Sequence, residues 1–98
     1  MKEITASELE KQLSEGQKVN MVDVREADEI ATGIIPGAIH IPLGEIPARL
    51  GELDTTKPYT LICRSGGRSG RAAEFLEGEG YDITNMTGGM LSWQGPIE

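Results

Sequence analysis

The chain has 98 residues, enough for one domain spanning 1–98 and too few for a second core. With 38% hydrophobic and 26% charged residues, and one Trp, two Tyr and one Phe, it reads as a globular chain with a mainly aliphatic core. Nine Lys and Arg against sixteen Asp and Glu leave a net charge of -7, which argues against nucleic acid or an anionic membrane as partner. One cysteine excludes an internal disulfide, and together with the single histidine it cannot complete a tetrahedral metal site. No apolar run approaches the roughly 20 residues that span a bilayer. The first residues turn polar at once, without the apolar stretch of a secretory leader, so cytoplasm is the expected location.

Along the chain, Thr5-Ala6-Ser7-Glu8 fits a capping box, and Ala6, Leu9 and Leu13 give the helix behind it one apolar face, ending at Gly16. Residues 19–24 are a short β-prone run, predicted as a buried strand. Residues 25–32 predict a short helix stopped by Gly33, and a turn-rich connector leads to a brief strand over 38–41. Leu43, Ile46, Leu50 and Leu53 keep helical spacing, with Pro47 tolerated only near that helix's start. Residues 59–62 are the next strand, with Cys63 at its carboxyl end. A helix carrying Ala72, Phe75 and Leu76 follows and stops at Gly80. Residues 81–86 form the last strand, and Gly88-Gly89 opens a short helix holding Leu91 and Trp93. Alternating strands and helices predict an α/β domain with a mostly parallel sheet.

The chemistry is concentrated at Cys63-Arg64-Ser65-Gly66-Gly67-Arg68-Ser69. In open α/β sheets, ligands bind beyond the carboxyl ends of the strands, where Cys63 falls. A Ser- and Gly-rich loop can curl so that successive amides point inward, and the helix behind it adds the positive end of its dipole. Arg64, Arg68 and Arg71 add positive charge in an otherwise acidic chain. Such surroundings lower a cysteine pKa into roughly 3.5–7.5 and make a nucleophile of it. The bland alternative is a buried, inert thiol before a solvated basic loop; the concentration of small residues and arginines favours the reactive reading. A cysteine phosphatase is the rival reading, but its loop is one residue longer. Here four residues separate Cys63 from Arg68, and Ser69 stands where a phosphatase carries its arginine.

Four segments together resemble the rhodanese-like family. They are Val22-Asp23-Val24-Arg25-Glu26, the stretch from Gly33 to Pro42, the loop ending at Ser69, and Gly88-Gly89-Met90-Leu91-Ser92-Trp93. Two positions depart from the family pattern: Ile30 replaces an aromatic and Ile34 a histidine. The resemblance implies a five-stranded, mostly parallel sheet flanked by helices on both faces. It also implies sulfur transfer without metal or cofactor. Cys63 would take the outer sulfur of thiosulfate or a persulfide donor, then pass it to cyanide or a thiol. A protein donor or acceptor, or a carrier module with little turnover of its own, is the alternative. Amides from Arg64, Ser65, Gly66, Gly67, Arg68 and Ser69 would cradle the transferred sulfur. Arg68, and Arg64 behind it, would hold the anionic donor.

Among the remaining residues, Asp23 is expected to brace the active loop. Arg25 is expected either to approach the donor or to pair with an acidic neighbour. His40 and Trp93 read as structural residues with satisfied ring nitrogens.

Overall fold

A computed structural model describes residues 2–98; Met1 lies outside the described residues. Five strands form a single parallel sheet: β1 (Lys2–Thr5), β2 (Met21–Asp23), β3 (Ile39–His40), β4 (Pro58–Ile62) and β5 (Asp82–Thr87), in the order β1-β5-β4-β2-β3. Three helices accompany them, α1 (Ala6–Ser14), α2 (Ala27–Ile30) and α3 (Gly67–Gly78), together with 3-10 segments at Leu43–Glu45, Pro47–Glu52 and Gly89–Ser92.

Side chains alternate across the sheet and build a core on each face. Val22, Leu61, Cys63 and Ile83 face α3 and the 3-10 pair, packing with Ala72, Ala73, Leu76, Ile46 and Leu53. Met21, Ile62 and Met86 face the other way, against Ala6 and Leu9 of α1 and against Ile35. The expected helices on both faces are present.

The capping box at Thr5 and Glu8 forms, each side chain bonding the other residue's amide at 3.1 and 2.9 Å. Two expectations needed correction. β1 was not read as a strand, because its residues are mostly exposed at the sheet edge and show no apolar alternation. Residues 43–53 are not one helix but two 3-10 turns. Pro47 has no N–H to give, Gly44 and Gly51 disfavour helix, and Arg49 leaves the helical region at φ -114° and ψ 18°. The apolar spacing still holds, since Ile46 and Leu53 are buried and Leu43 and Leu50 pack beside them.

The connection from β2 runs outward to β3 and that from β4 runs the other way to β5. The carboxyl ends of β2 and β4 therefore flank the switch point where an α/β sheet opens a crevice. Asp23 and Cys63 lie on either side of it.

Candidate active site

Cys63 leaves β4 into a tight loop that becomes α3. Gly66 takes φ 101°, a left-handed conformation that Cβ-bearing residues disfavour, and this turns its amide back onto the cysteine. Gly66 N–H donates to Cys63 Sγ at 2.9 Å, and Ser69 Oγ lies 3.3 Å from the same sulfur. Burial pushes the thiol pKa up. The Ser69 hydroxyl and the amides of Ser69, Gly66 and Ser65 more than offset this, leaving Cys63 below the ordinary thiol range. Hydrogen bonds from the loop lead the lowering, and the Arg68 charge, coupled electrostatically to the sulfur, favours the thiolate as well.

The loop is held from three sides. Below it, Asn85 of β5 sits 4% exposed, its Nδ2 donating to Gly66 O at 3.2 Å and its Oδ1 accepting from Ser69 Oγ. Behind it, the Gly88-Gly89 turn brings Met90 N to Cys63 O at 2.8 Å and Leu91 N to Arg64 O at 3.0 Å. In front, Arg68 forks onto Glu29 of α2, with two contacts of 2.6 Å. The Arg68 hydrogen bonds hold the Glu29 carboxyl well below its usual range, at about 2, and the Glu26 amide adds to the effect.

Asp23 and Arg25, the two residues expected to act on the loop, make no hydrogen bond to it among the described residues, although Arg25 and Arg64 line one cleft. Asp23 is fully buried, and its carboxylate accepts from Arg25 N, Nε and Nη2 at 2.9 to 3.0 Å. Arg25, itself 4% exposed, also donates to Gly33 O at 2.7 Å, pinning the connector after α2. Asp23 thus braces Arg25 while Arg25 braces the connector. His40 places Nε2 2.6 Å from Arg25 O, and Trp93 donates to Pro96 O at 3.0 Å. Arg64 and Ser65 are exposed at the loop's outer edge.

The loop therefore brings Ser65, Gly66 and Ser69 onto the sulfur. It turns Arg68 toward a carboxylate and leaves Arg64 in solvent. Glu29 and Asn85 were not read from the sequence as site residues. A buried Asn in a strand, facing the same side as Ile83, was the available signal for one of them. Nothing local marked Glu29.

Cys63 has no exposed surface and belongs to the buried cluster under α3, while Arg64, Ser65 and Gly67 of the loop that follows it are exposed. Beside them opens a cleft of about 410 Å³ whose walls include Glu29, Arg64, Met90 and Leu91. A cleft of about 460 Å³ lies on the other face, between α1 and the C-terminal segment, lined by Leu13, Ile35 and Trp93. It is mainly apolar, with Glu10 and Ser14 as its polar lining residues. Among the described residues there is no cluster of His, Cys, Asp and Glu able to hold a metal ion, and no helix long and apolar enough to cross a membrane.

A five-stranded parallel sheet with a cysteine cradled at the carboxyl end of β4 is the arrangement of a rhodanese, and the rhodanese-like domain family matches residues 5–96; the chain belongs to that family. Among its relatives, YtwF of Bacillus subtilis, named as a candidate sulfurtransferase, is 40% identical over 97% of this chain and 92% of its own length. A sulfurtransferase of Allochromatium vinosum is 37% identical over 93% of this chain and 86% of its own. The crystal structure of a rhodanese-like domain protein from Staphylococcus aureus superposes with a TM-score of 0.94 at 40% identity, covering 100% of this chain and 97% of that one.

Proposed function

We propose that the protein transfers a sulfane sulfur through a persulfide on Cys63. The Cys63 thiolate attacks the outer sulfur of a donor. With thiosulfate, the donor S–S bond breaks and sulfite leaves with its electron pair. A thiolate or cyanide then attacks the outer sulfur of the persulfide. The new acceptor–sulfur bond forms as the Cys63 S–S bond breaks, and the Cys63 thiolate is regenerated. No electrons are gained or lost overall, so no redox cofactor is required.

The observation that carries this reading is the pair of donors on Sγ, Gly66 N–H at 2.9 Å and Ser69 Oγ at 3.3 Å. They favour the ionised sulfur as nucleophile in the first step and as leaving group in the second. The loop residues from Arg64 to Ser69 form the cradle, and the Asp23–Arg25 pair holds the connector after α2 on the other side of the crevice. Because Cys63 has no exposed surface, loading requires the exposed cover of the loop to move aside.

A second reading is a carrier that takes sulfur from a protein or small-molecule persulfide and turns over thiosulfate slowly. It is supported by the occupied guanidiniums, since Arg68 is bound to Glu29 and Arg25 to Asp23, leaving Arg64 to meet an inorganic anion. The test is thiocyanate formation from thiosulfate and cyanide, run beside sulfur transfer from a persulfidated thiol. Loss of both in Cys63→Ser is expected. Turnover retained in that variant overturns the proposal, and fast transfer from the persulfide with slow use of thiosulfate selects the carrier.

A further inference from the structure

Ser69 Oγ stands among three acceptors but carries one proton. Its neighbours are Asn85 Oδ1, Gly66 O at 3.2 Å and Cys63 Sγ at 3.3 Å. The orientation of the Asn85 amide follows from the same network. Gly66 O can only accept, so the Asn85 group facing it at 3.2 Å is the NH2, and the group facing Ser69 is the carbonyl oxygen. Gly66 O already accepts from Asn85 Nδ2 and from Gly70 N at 3.0 Å, and a thiol sulfur accepts only weakly, so Asn85 Oδ1 is the strongest acceptor open to Ser69. While Cys63 is protonated, Ser69 therefore donates to Asn85 Oδ1 and turns a lone pair to Sγ; its donation to Sγ belongs to the thiolate. A chain results, from the Cys63 S–H to Ser69 Oγ and from the Ser69 O–H to Asn85 Oδ1. All three residues are buried, with exposures of 0%, 0% and 4%, so water offers no substitute partner.

We propose that Asn85 is a positioning residue that sets the ionisation of Cys63 by competing with its sulfur for the Ser69 proton. When Cys63 loses its proton, Ser69 must turn its hydroxyl from Asn85 to the sulfur, and Asn85 Oδ1 is left facing an oxygen lone pair. Asn85 thereby opposes ionisation, while its amide anchors Gly66, whose N–H favours it. The thiol is held above the lower pKa that the loop amides alone would give it. This tempers a leaving group that must also be a good nucleophile, because thiolate nucleophilicity falls as its pKa falls. The functional consequence rests on the proposed role of Cys63; the acid–base claim does not.

The charged groups on the elements packed around the loop are Asp23 of β2, Arg25 and Glu26 before α2, Asp28 and Glu29 of α2, Arg64 of the loop, and Arg68 and Arg71 of α3. They are unchanged in every variant, so the comparison isolates the Ser69–Asn85 link. The experiment is the rate of Cys63 alkylation by iodoacetamide against pH, with folding checked by circular dichroism. Asn85→Leu removes the competing acceptor and is expected to lower the midpoint by about half to one pH unit, roughly a three- to tenfold rise in the thiolate-to-thiol ratio. Asn85→Asp keeps an acceptor on Ser69, adds negative charge beside the sulfur, and is expected to raise the midpoint. In a Ser69→Ala background the Asn85→Leu shift should vanish. Shifts of the same sign in both Asn85 variants, or an Asn85→Leu shift that survives without the Ser69 hydroxyl, would overturn the proposal. Should Asn85→Leu fail to fold, Asn85→Ala with and without Ser69→Ala decides it, since a fall in the midpoint that is independent of Ser69 also overturns it. Absence of any sulfurtransferase activity would leave these titrations readable, so the two claims fail separately.

Discussion

Gly89→Ala should damage the active loop from behind. Gly89 has φ 57°, and a Cβ there would lie 2.5 Å from Cys63 O and against the Arg64 carbonyl. The left-handed backbone costs an Ala about 1–2 kcal/mol. Backing away from the clash breaks the bonds from Met90 N to Cys63 O and from Leu91 N to Arg64 O, at about 0.5–1.5 kcal/mol each. The sum is about 2–5 kcal/mol, centred near 3. For a chain of this size each kcal/mol moves the melting temperature by about 4–8 °C, so a fall of roughly 12–24 °C is expected. Gly16→Ala is the control: its φ is 84°, but no atom lies within 4 Å of the added Cβ, so it carries the backbone strain alone. At a central cost of about 1.5 kcal/mol its fall should be roughly 6–12 °C. Thermal unfolding followed by circular dichroism measures both. Equal losses in the two variants would refute the idea that the Gly88-Gly89 turn supports the loop by close packing.

Ser69→Ala removes a donor to Sγ and should raise the Cys63 midpoint by roughly one pH unit, read from alkylation rates. Arg25→Met leaves the buried Asp23 carboxylate without its partner and should cost about 3–5 kcal/mol in urea unfolding; a loss under about 1 kcal/mol would contradict the buried pairing. Glu29→Gln frees the Arg68 fork and should raise the alkylation rate by anionic iodoacetate relative to neutral iodoacetamide; an unchanged ratio would show that Arg68 does not act on entering anions. The Glu29 carboxyl sits at about 2 in the folded chain against an ordinary 4.5, a depressed value. Its contribution is therefore complete above about pH 4.5 and is lost as pH falls toward 2, so Glu29→Gln should flatten the acid limb of a stability–pH curve by about 1 kcal/mol after allowance for solvent screening.

Much of this arrangement was legible in the residues because local signals and tertiary context agreed. The capping box at Thr5, the β-prone runs ending at Asp23 and Ile62, and the small-residue loop after Cys63 each specify one local geometry, and each is observed. Residues 2–5 were missed because an edge strand needs no apolar alternation. Its pairing with β5 satisfies the backbone, and Lys2 meets Asp82 across it at the surface. The 43–53 segment misled because apolar spacing reports burial, whereas two glycines and a proline decide the hydrogen-bond pattern. Within the site, Gly66 and Ser69, close behind Cys63 in the sequence, meet its sulfur. Sequence proximity could not show that Arg68 turns to Glu29, 39 positions away, or that Asn85 rises under the loop from β5. Those partners depend on how strands are ordered in the sheet, which no local pattern encodes.

Intact-mass and peptide-level mass spectrometry after exposure to a sulfur donor tests sulfur transfer most directly, with thiosulfate and a persulfidated thiol as parallel donors. One added sulfur atom located on Cys63, removed by cyanide and absent in Cys63→Ser, is the predicted result. A wild-type chain whose Cys63 gains no sulfur from either donor, while remaining open to alkylation, would contradict it.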